Sequence, residues 1–181
     1  MIEKEYKFVV NKIPLHCSSC LKIRQIYFDR RFTDKVLLKI LKIPFWQLKK
    51  IDNVRLRIIM QDNNQNKYYL TAKTGEMQER TEYEKEISGK VARKLLSLKT
   101  IGEIKKKRYI VDYLGYRFEF DRYLNYKKLI VCEVEVNEEN DDYKQITDIL
   151  EKVFNLKYKD VTQNKEYKNS EIVRSVNYEN D

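Results

Sequence analysis

The sequence is poor in the residues that build several common kinds of site. Only three of its 181 residues are cysteine, too few for a disulfide framework, and the single histidine, His16, lies in a predicted loop, which leaves no Ser-His-Asp set. Four glycines and two prolines exclude a linker-like or low-complexity chain. No apolar run approaches the roughly 20 residues that cross a bilayer, and the first residues do not resemble a signal peptide. We therefore expect one cytoplasmic domain over residues 1–181 that makes no contact with a membrane.

Charged residues are abundant, and their balance is basic. They make up 36% of the chain, with 37 Lys and Arg against 28 Asp and Glu, for a net charge of +9. A basic excess of this size favours an anionic partner such as a nucleotide, a polyphosphate or a nucleic acid. The length is sufficient for one domain with a sizeable core.

Charged and apolar residues alternate along many short segments, which is the period of a β-strand. In the first segment, residues 2–10, Glu3, Glu5 and Lys7 share one face, while Tyr6 and Phe8 lie on the other. The same alternation or a strand-like composition predicts seven further strands, at 23–28, 54–58, 68–73, 80–84, 105–113, 117–122 and 130–136. Apolar residues at helical spacing predict one helix over 85–98 and another over 141–153.

The polar faces of these strands carry an unusual concentration of full charges. The acid set consists of Glu3, Glu5, Glu82, Glu84, Glu119, Asp121, Glu133 and Glu135. The basic set consists of Lys7, Arg55, Arg57, Lys73, Arg80, Lys106, Arg108 and Arg117. A charged strand face usually faces water. When strand after strand repeats the pattern, however, a shared interior lined by both signs becomes the better interpretation.

We therefore predict an α+β, mainly β, fold. Its centre is an eight-stranded antiparallel sheet closed into a β-barrel, a tunnel with a charged interior and helices packed outside. Unpaired charge inside a barrel would be costly, because a buried ion loses its hydration. Arginine and lysine that bind phosphate oxygens, and carboxylates that bind Mg²⁺ or Mn²⁺, would remove that cost.

The ordered series of charged motifs resembles the CYTH domain, the family of triphosphate tunnel metalloenzymes. The similarity begins at Glu3-x-Glu5-x-Lys7 and runs in order through nearly the whole chain. Its further elements are Gln25-Ile-Tyr27, Arg55-x-Arg57, Lys73-Thr-Gly75, Arg80-x-Glu82-Tyr-Glu84, Lys106-x-Arg108, Glu119-x-Asp121, Glu133-x-Glu135, Val161-Thr162 and Tyr167-Lys168-Asn169.

The resemblance implies an enzyme that binds a linear triphosphate together with a divalent metal, Mg²⁺ or Mn²⁺. The residues it implies as metal ligands are Glu3, Glu5, Glu133 and Glu135, with Asp121 either joining them or orienting a metal-bound water. These five residues together with Lys7 form the implied catalytic set. The residues it implies as phosphate ligands are Lys7, Arg55, Arg57, Lys73, Arg80, Lys106, Arg108, Arg117 and Lys168. The implied chemistry is phosphoryl transfer to water.

Three functions stay open at this point. The first is metal-dependent hydrolysis of a triphosphate, foremost inorganic tripolyphosphate, with thiamine triphosphate or a nucleotide as organic substrates. The second is conversion of ATP to cyclic AMP and pyrophosphate by an adenylate cyclase of the same family. The third is a non-catalytic module that binds polyphosphate or an RNA end. We expect nucleic acid as a partner only through an RNA 5′-triphosphate, and a homodimer stands as an alternative to the monomer.

Two segments depart from the family pattern. Residues 30–52 are longer than the corresponding hairpin and are interpreted as a lineage-specific insertion, in which Thr33 or Asp34 caps a helix that Pro44 interrupts. Most of the apolar residues there are expected to pack against the sheet, with a partner surface or a tunnel flap as the alternative. The second departure is a loop with Cys17 and Cys20, for which free thiols are expected and a zinc site would lack ligands.

Overall fold

A computed structural model describes residues 4–60, 65–74, 81–137 and 139–178. Its described residues group into two compact units. The first takes in 22–105 and 168–178, and the second takes in 4–21 and 106–167. Both are dominated by antiparallel strands with few helices, so the expected α+β, mainly β, class is confirmed.

Nine strands and four α-helices form the regular structure of the described residues. The strands are β1 (Lys4–Val10), β2 (Ser19–Phe28), β3 (Ile51–Met60), β4 (Lys67–Thr74), β5 (Thr81–Ile87), β6 (Thr100–Tyr113), β7 (Tyr116–Tyr123), β8 (Ile130–Val136) and β9 (Tyr158–Asp160). The helices are α1 (Asp34–Val36), α2 (Gly89–Leu95), α3 (Tyr143–Asp148) and α4 (Asn169–Tyr178). In the described ranges no helix is both long enough and apolar enough to cross a bilayer.

The second unit is built on the strand order β6-β7-β8-β1-β9. Phe8 lies opposite Cys132, and Phe118 lies opposite Val134, so that apolar side chains share one face. Helix α3 and its continuation as a π-helix, Ile149–Val153, supply Ile146 and Leu150 to the same core. Since side chains alternate along a strand, this packing sends the charged residues of these strands to the opposite face.

The first unit has the strand order β5-β4-β3-β2. Its core contains Leu56, Leu70 and Ala72 from the strands and Ala92 and Leu95 from α2. The Ser88 hydroxyl accepts a hydrogen bond from the backbone N–H of Val91 and so caps the start of α2. The apolar residues of β3 and β4 therefore face this helix, and the arginines of β3 face the other way.

The prediction of eight strands closed into a barrel is wrong in count and in closure. Nine strands are present in the described residues, and the sheet is open, with β5 and β9 as its end strands. The additional strand, β9, is three residues long and lies in the polar tail. It pairs with Phe8–Val10, so the outer edge of β1 is occupied there by β9.

The predicted helices agree with the structure only in part. The helix predicted over 85–98 is shorter, because residues 85–87 continue β5 and α2 begins after Ser88. The helix predicted over 141–153 is confirmed from Tyr143 onward, and the carboxylate of Asp142 caps its N-terminus.

Of residues 30–52, those up to Lys50 form a series of short helical turns, and Ile51 begins β3. These are two 3₁₀ turns, Arg30–Phe32 and Phe45–Lys50, and between them α1, which continues as a π-helix, Leu37–Leu41. The helix ends at Lys42, which has a φ of 55°, just before Pro44. Leu37, Ile43 and Leu48 are buried in the first-unit core, as expected of packing against the sheet. Thr33 stands at the N-cap but makes no side-chain capping bond.

Candidate functional site

Eight charged residues lie on one face of the second unit. Seven of them are predicted site residues, and the eighth, Glu119, belongs to the acid set. We call this group the acid-rich cluster, because five carboxylates accompany three cations. Its members, in chain order, are Glu5, Lys7, Lys106, Arg108, Glu119, Asp121, Glu133 and Glu135. The strand register places them on neighbouring strands, on the face opposite the apolar core.

Lys7 joins the carboxylates of β1 and β8. Its Nζ lies 2.9 Å from Glu133 Oε1 and 3.4 Å from Glu5 Oε1. Burial alone would lower the pKa of Lys7, but Glu133 and Glu5 more than offset it, so the pKa lies above its ordinary value. Burial opposes ionisation of Glu133 as well, yet Lys7 and the other nearby cations hold its pKa well below the usual range. Both side chains are therefore charged at neutral pH.

Arg108 lies at the centre of the cluster and contacts three carboxylates. Its Nε and Nη2 donate to the two oxygens of Asp121 at 2.7 and 2.6 Å. Its Nη1 donates to Glu119, and its Nη2 lies 3.2 Å from Glu133 Oε2. The two-bond fork to Asp121 is the strong, planar form of an arginine–carboxylate pair. It fixes the orientation of the guanidinium.

Lys106 and Asp121 form a fully buried ion pair beneath this arginine. Their side chains are 0% exposed, and Lys106 Nζ lies 2.5 Å from Asp121 Oδ2. The ammonium also lies 5.9 Å from the centre of the Tyr123 ring. Burial and the neighbouring Arg108 lower the pKa of Lys106, although Asp121 opposes the shift.

Two pairs of carboxylates in the cluster lie directly opposite each other across strands. Glu5 faces Glu135 between β1 and β8, and Glu119 faces Glu133 between β7 and β8. Like charges in such positions destabilise a sheet unless a cation lies near them. Arg108 contacts both members of the second pair. In the first pair, Lys7 Nζ lies 3.4 Å from Glu5 Oε1, and Arg117 lies near Glu135. The facing carboxylate oxygens of this pair are also donors that suit a hard divalent cation.

The described residues do not by themselves form a ready metal site. Among them, no three acidic, histidine or cysteine side chains come together as a ligand group. Glu3, predicted to be a metal ligand, lies outside the described residues. The fit to Mg²⁺ or Mn²⁺ therefore depends on the carboxylate oxygens of the acid-rich cluster, those of the facing residues Glu5 and Glu135 among them.

The charged face of the first unit has the opposite balance. We call it the base-rich cluster, and it consists of Arg55, Arg57, Lys73, Glu82 and Glu84. Arg57 Nη2 lies 2.7 Å from Glu84 Oε1, and Lys73 Nζ lies 2.5 Å from Glu82 Oε2. Burial would raise the pKa of Glu82, but Lys73 and the two arginines lower it below its usual value. In this cluster three cations thus accompany two carboxylates.

Each arginine of this cluster has a buried N–H donor that makes no hydrogen bond to the described residues. The Nε groups of Arg55 and Arg57 are buried and have no hydrogen-bond partner in the part of the chain that the structure describes, and the same holds for Oε1 of Gln25. Gln25 lies directly opposite Arg57 between β2 and β3, so these orphaned atoms belong to one face. Buried polar atoms are nearly always hydrogen-bonded, so exceptions on a basic face indicate a place for an anion or water.

Three of the other predicted residues have outcomes of their own. Arg80 lies outside the described residues. Arg117 lies on the β7 face of Glu119 and near the carboxylates of Glu119 and Glu135, at the exposed margin of the acid-rich cluster. Its Nε donates to Asp112 at 2.8 Å, and the side chains of Arg117 and Asp112 are both more than half exposed. Lys168 precedes α4, in the first unit, and its carbonyl accepts hydrogen bonds from Glu171 and Ile172.

Two residues that contact the base-rich cluster were not among the predicted site residues. The hydroxyl of Thr71 donates to Glu84 Oε2 at 2.7 Å, and the ring of Tyr69 lies under the Arg57 guanidinium at 5.2 Å from its centre. Tyr69 and Thr71 lie on the same face of β4 as Lys73, because they are four and two residues before it. This spacing is the feature of the sequence that indicates them. Cys17, in the loop before β2, and Cys20, near the start of β2, carry free thiols.

Comparison with known proteins identifies the family. The chain matches the CYTH domain over residues 1–167 and belongs to this family. No curated protein matches it at significant similarity.

Solved structures share the fold at low sequence identity. An inorganic triphosphatase aligns with a TM-score of 0.55 and 23% identity, covering 96% of this chain and 95% of its own. A proposed adenylyl cyclase from Hippeastrum, described as having a dominant triphosphatase activity, aligns with a TM-score of 0.61 and 14% identity over 87% and 90%. A proposed adenylate cyclase from Bacillus halodurans gives 0.56 and 20% over 85% and 90%. At these identities the similarity concerns the fold.

Proposed function

We propose that this protein hydrolyses a triphosphate, foremost inorganic tripolyphosphate, with the help of a divalent metal. One observation carries the proposal. Each unit turns a face of partly buried, ordered charges away from its core, one rich in carboxylates and one rich in cations. A protein that only binds anions needs the cations but has no use for the carboxylates. The presence of both supports a bound metal and a phosphate substrate.

The cations of both clusters are proposed to bind phosphate oxygens. In the base-rich cluster the unpartnered Nε groups of Arg55 and Arg57 are buried donors, and Lys73 adds a third positive charge. In the acid-rich cluster, Lys7 and Arg108 are held by carboxylates at fixed positions. Because these groups are ordered before the substrate arrives, binding loses little side-chain entropy. Arg80, Arg117 and Lys168 remain secondary phosphate ligands in this proposal.

The metal, Mg²⁺ or Mn²⁺, is proposed to bind Glu5, Glu133 and Glu135, together with Glu3. When bound, such an ion neutralises charge on the phosphates and lowers the pKa of water. Glu133 suits this role because Lys7 and the other nearby cations hold its pKa well below the usual range, so that it is ionised at neutral pH. Lys7, between Glu5 and Glu133, holds the two carboxylates in place and supplies a positive charge for the departing phosphate.

A hydrolysis assay tests the proposal directly. The protein is incubated with tripolyphosphate, ATP and thiamine triphosphate, with Mg²⁺, with Mn²⁺, and with neither. We expect metal-dependent phosphate release from tripolyphosphate, reduced by at least about tenfold in Glu5→Gln. The matched control is Glu151→Gln, which removes an exposed carboxylate of the same unit and should leave the rate unchanged.

The other two functions are distinct outcomes of the same assay. Pyrophosphate and cyclic AMP formed from ATP, with no phosphate released from tripolyphosphate, would make the protein a cyclase. Tight binding of all three compounds without any turnover would make it a binding module. Either result would overturn the proposed hydrolysis.

A further inference from the structure

We propose that Asp121 is a positioning residue that fixes Arg108 and Lys106, in place of the metal-binding role that the family resemblance implied. This inference rests on the proposed function for its substrate, a triphosphate. Its structural basis is independent of the reaction, because it concerns which partners the Asp121 carboxylate has in the folded protein.

The carboxylate of Asp121 already makes three contacts with cations. Arg108 donates to each of its oxygens, from Nε to Oδ1 and from Nη2 to Oδ2, and Lys106 Nζ contacts Oδ2 as well. An ionised carboxylate has about four acceptor sites, and three of them are occupied here. The side chain is 0% exposed. A metal ion would have to displace a buried, charge-assisted partner to bind it.

Other carboxylates of the acid-rich cluster are more open to solvent. The Glu5 side chain is 38% exposed, whereas Asp121 has no accessible surface. Glu135, which lies opposite Glu5, is also exposed. The most exposed carboxylates of the cluster are thus Glu5 on β1 and Glu135 on β8, while Asp121 is enclosed by Arg108 and Lys106.

Asp121 also offsets the repulsion between two cations of β6. Lys106 and Arg108 lie on the same face of one strand, two residues apart, and their like charges repel. Since Asp121 lies opposite Arg108 on β7 and contacts both cations, its single negative charge holds them at fixed positions. The side chain of Arg108 remains 12% exposed, which leaves its outer edge available to an anion.

The test separates metal binding from anion binding. Affinity for Mn²⁺ alone is measured by electron paramagnetic resonance, and affinity for tripolyphosphate is measured by calorimetry in excess chelator. For Asp121→Asn we expect an Mn²⁺ affinity within about twofold of wild type and a tripolyphosphate affinity at least about tenfold weaker. For Glu5→Gln we expect the Mn²⁺ affinity to fall at least about tenfold and the tripolyphosphate affinity to stay within about twofold of wild type. An Mn²⁺ affinity that falls as far in Asp121→Asn as in Glu5→Gln would overturn the proposal.

A second variant covers the case in which Asp121→Asn does not fold. Arg108→Lys keeps the charge and leaves the Asp121 carboxylate in place, but a lysine cannot form the two-bond fork. We expect tripolyphosphate affinity to fall at least about fivefold with Mn²⁺ affinity unchanged. Where both variants fold, their effects on tripolyphosphate should not add, because each removes the same fork. Unaltered tripolyphosphate affinity in Arg108→Lys would refute the positioning role.

The same measurements distinguish this proposal from the proposed function. Both binding assays run without turnover, so a wild-type protein that hydrolyses nothing still tests whether Asp121 acts on the anion or on the metal. Conversely, a protein that hydrolyses tripolyphosphate but loses Mn²⁺ affinity in Asp121→Asn would keep its function and lose the positioning role.

Discussion

Replacing Lys7 with methionine should destabilise the protein strongly, because it removes the ammonium that joins β1 to β8. Lys7 is 7% exposed, and its Nζ lies 2.9 Å from Glu133 and 3.4 Å from Glu5. Removing one partner of a buried ion pair typically costs about 3–5 kcal/mol, because the other charge stays buried. Glu133 keeps its contact with Arg108 at 3.2 Å, so we expect the lower end, about 3 kcal/mol. For a chain of this length that corresponds to a fall of roughly 6–12 °C in Tm.

The effect of Lys7→Met should depend on pH in a defined direction. Glu133 has a depressed pKa, so its share of the stability is present above the ordinary carboxyl pKa of about 4.3 and is lost as pH falls through the folded value. Lys7 has a raised pKa, so its share is complete below the ordinary lysine pKa of about 10.4 and is lost as pH rises through the folded value. The difference between wild type and variant should therefore be largest between about pH 5 and 10.

Urea unfolding and thermal melting measure this difference. The matched control is Lys4→Met on the same strand, since Lys4 is 54% exposed and pairs with Asp141 at the surface. A loss of stability in Lys7→Met no greater than in Lys4→Met would refute the reasoning. A loss in Lys7→Met that does not shrink as the pH falls from about 5 to about 2 would refute it as well.

Three further predictions follow from the same contacts. Arg57→Ala should weaken tripolyphosphate binding at least about tenfold in calorimetry, because charge-assisted phosphate bonds are strong, whereas the exposed Arg93→Ala should not. Phe118→Ala should cost about 3–5 kcal/mol in urea unfolding, because Phe118 is 0% exposed in the second-unit core, while Leu114→Ala at an exposed turn should cost little. Glu133→Gln should abolish metal-dependent phosphate release, and Mn²⁺ should raise the Tm of wild type but not of this variant.

Much of the sheet could be predicted because alternation along a strand is a local property. The strand from Ile130 to Val136 was predicted with the bounds that the structure has, since Cys132 and Val134 alternate with two glutamates. Grouping of the charges on faces opposite the apolar cores follows from the same parity. Alternation along a strand does not predict which residue of a neighbouring strand each charged side chain contacts. That Asp121 binds two cations, while Arg117 pairs with Asp112, depends on cross-strand register.

The errors have identifiable physical causes. Strand β9, Tyr158–Asp160, is too short for any periodic signal, and its pairing with β1 is a contact between residues nearly 150 positions apart. The helix predicted from residue 85 began too early, since Lys85 and Ile87 satisfy strand alternation as well as helical spacing and the cap at Ser88 decides between them. Closure of the sheet depends on such long-range pairings, which composition and alternation do not encode.

A crystal structure of the protein with Mn²⁺ and tripolyphosphate would test the central claim most directly. We predict anomalous manganese density about 2.1 Å from carboxylate oxygens of Glu5, Glu133 and Glu135, with phosphate oxygens on the guanidinium group of Arg108 or on those of Arg55 and Arg57. Manganese and triphosphate bound elsewhere, with those carboxylates and arginines in contact only with one another, would contradict it.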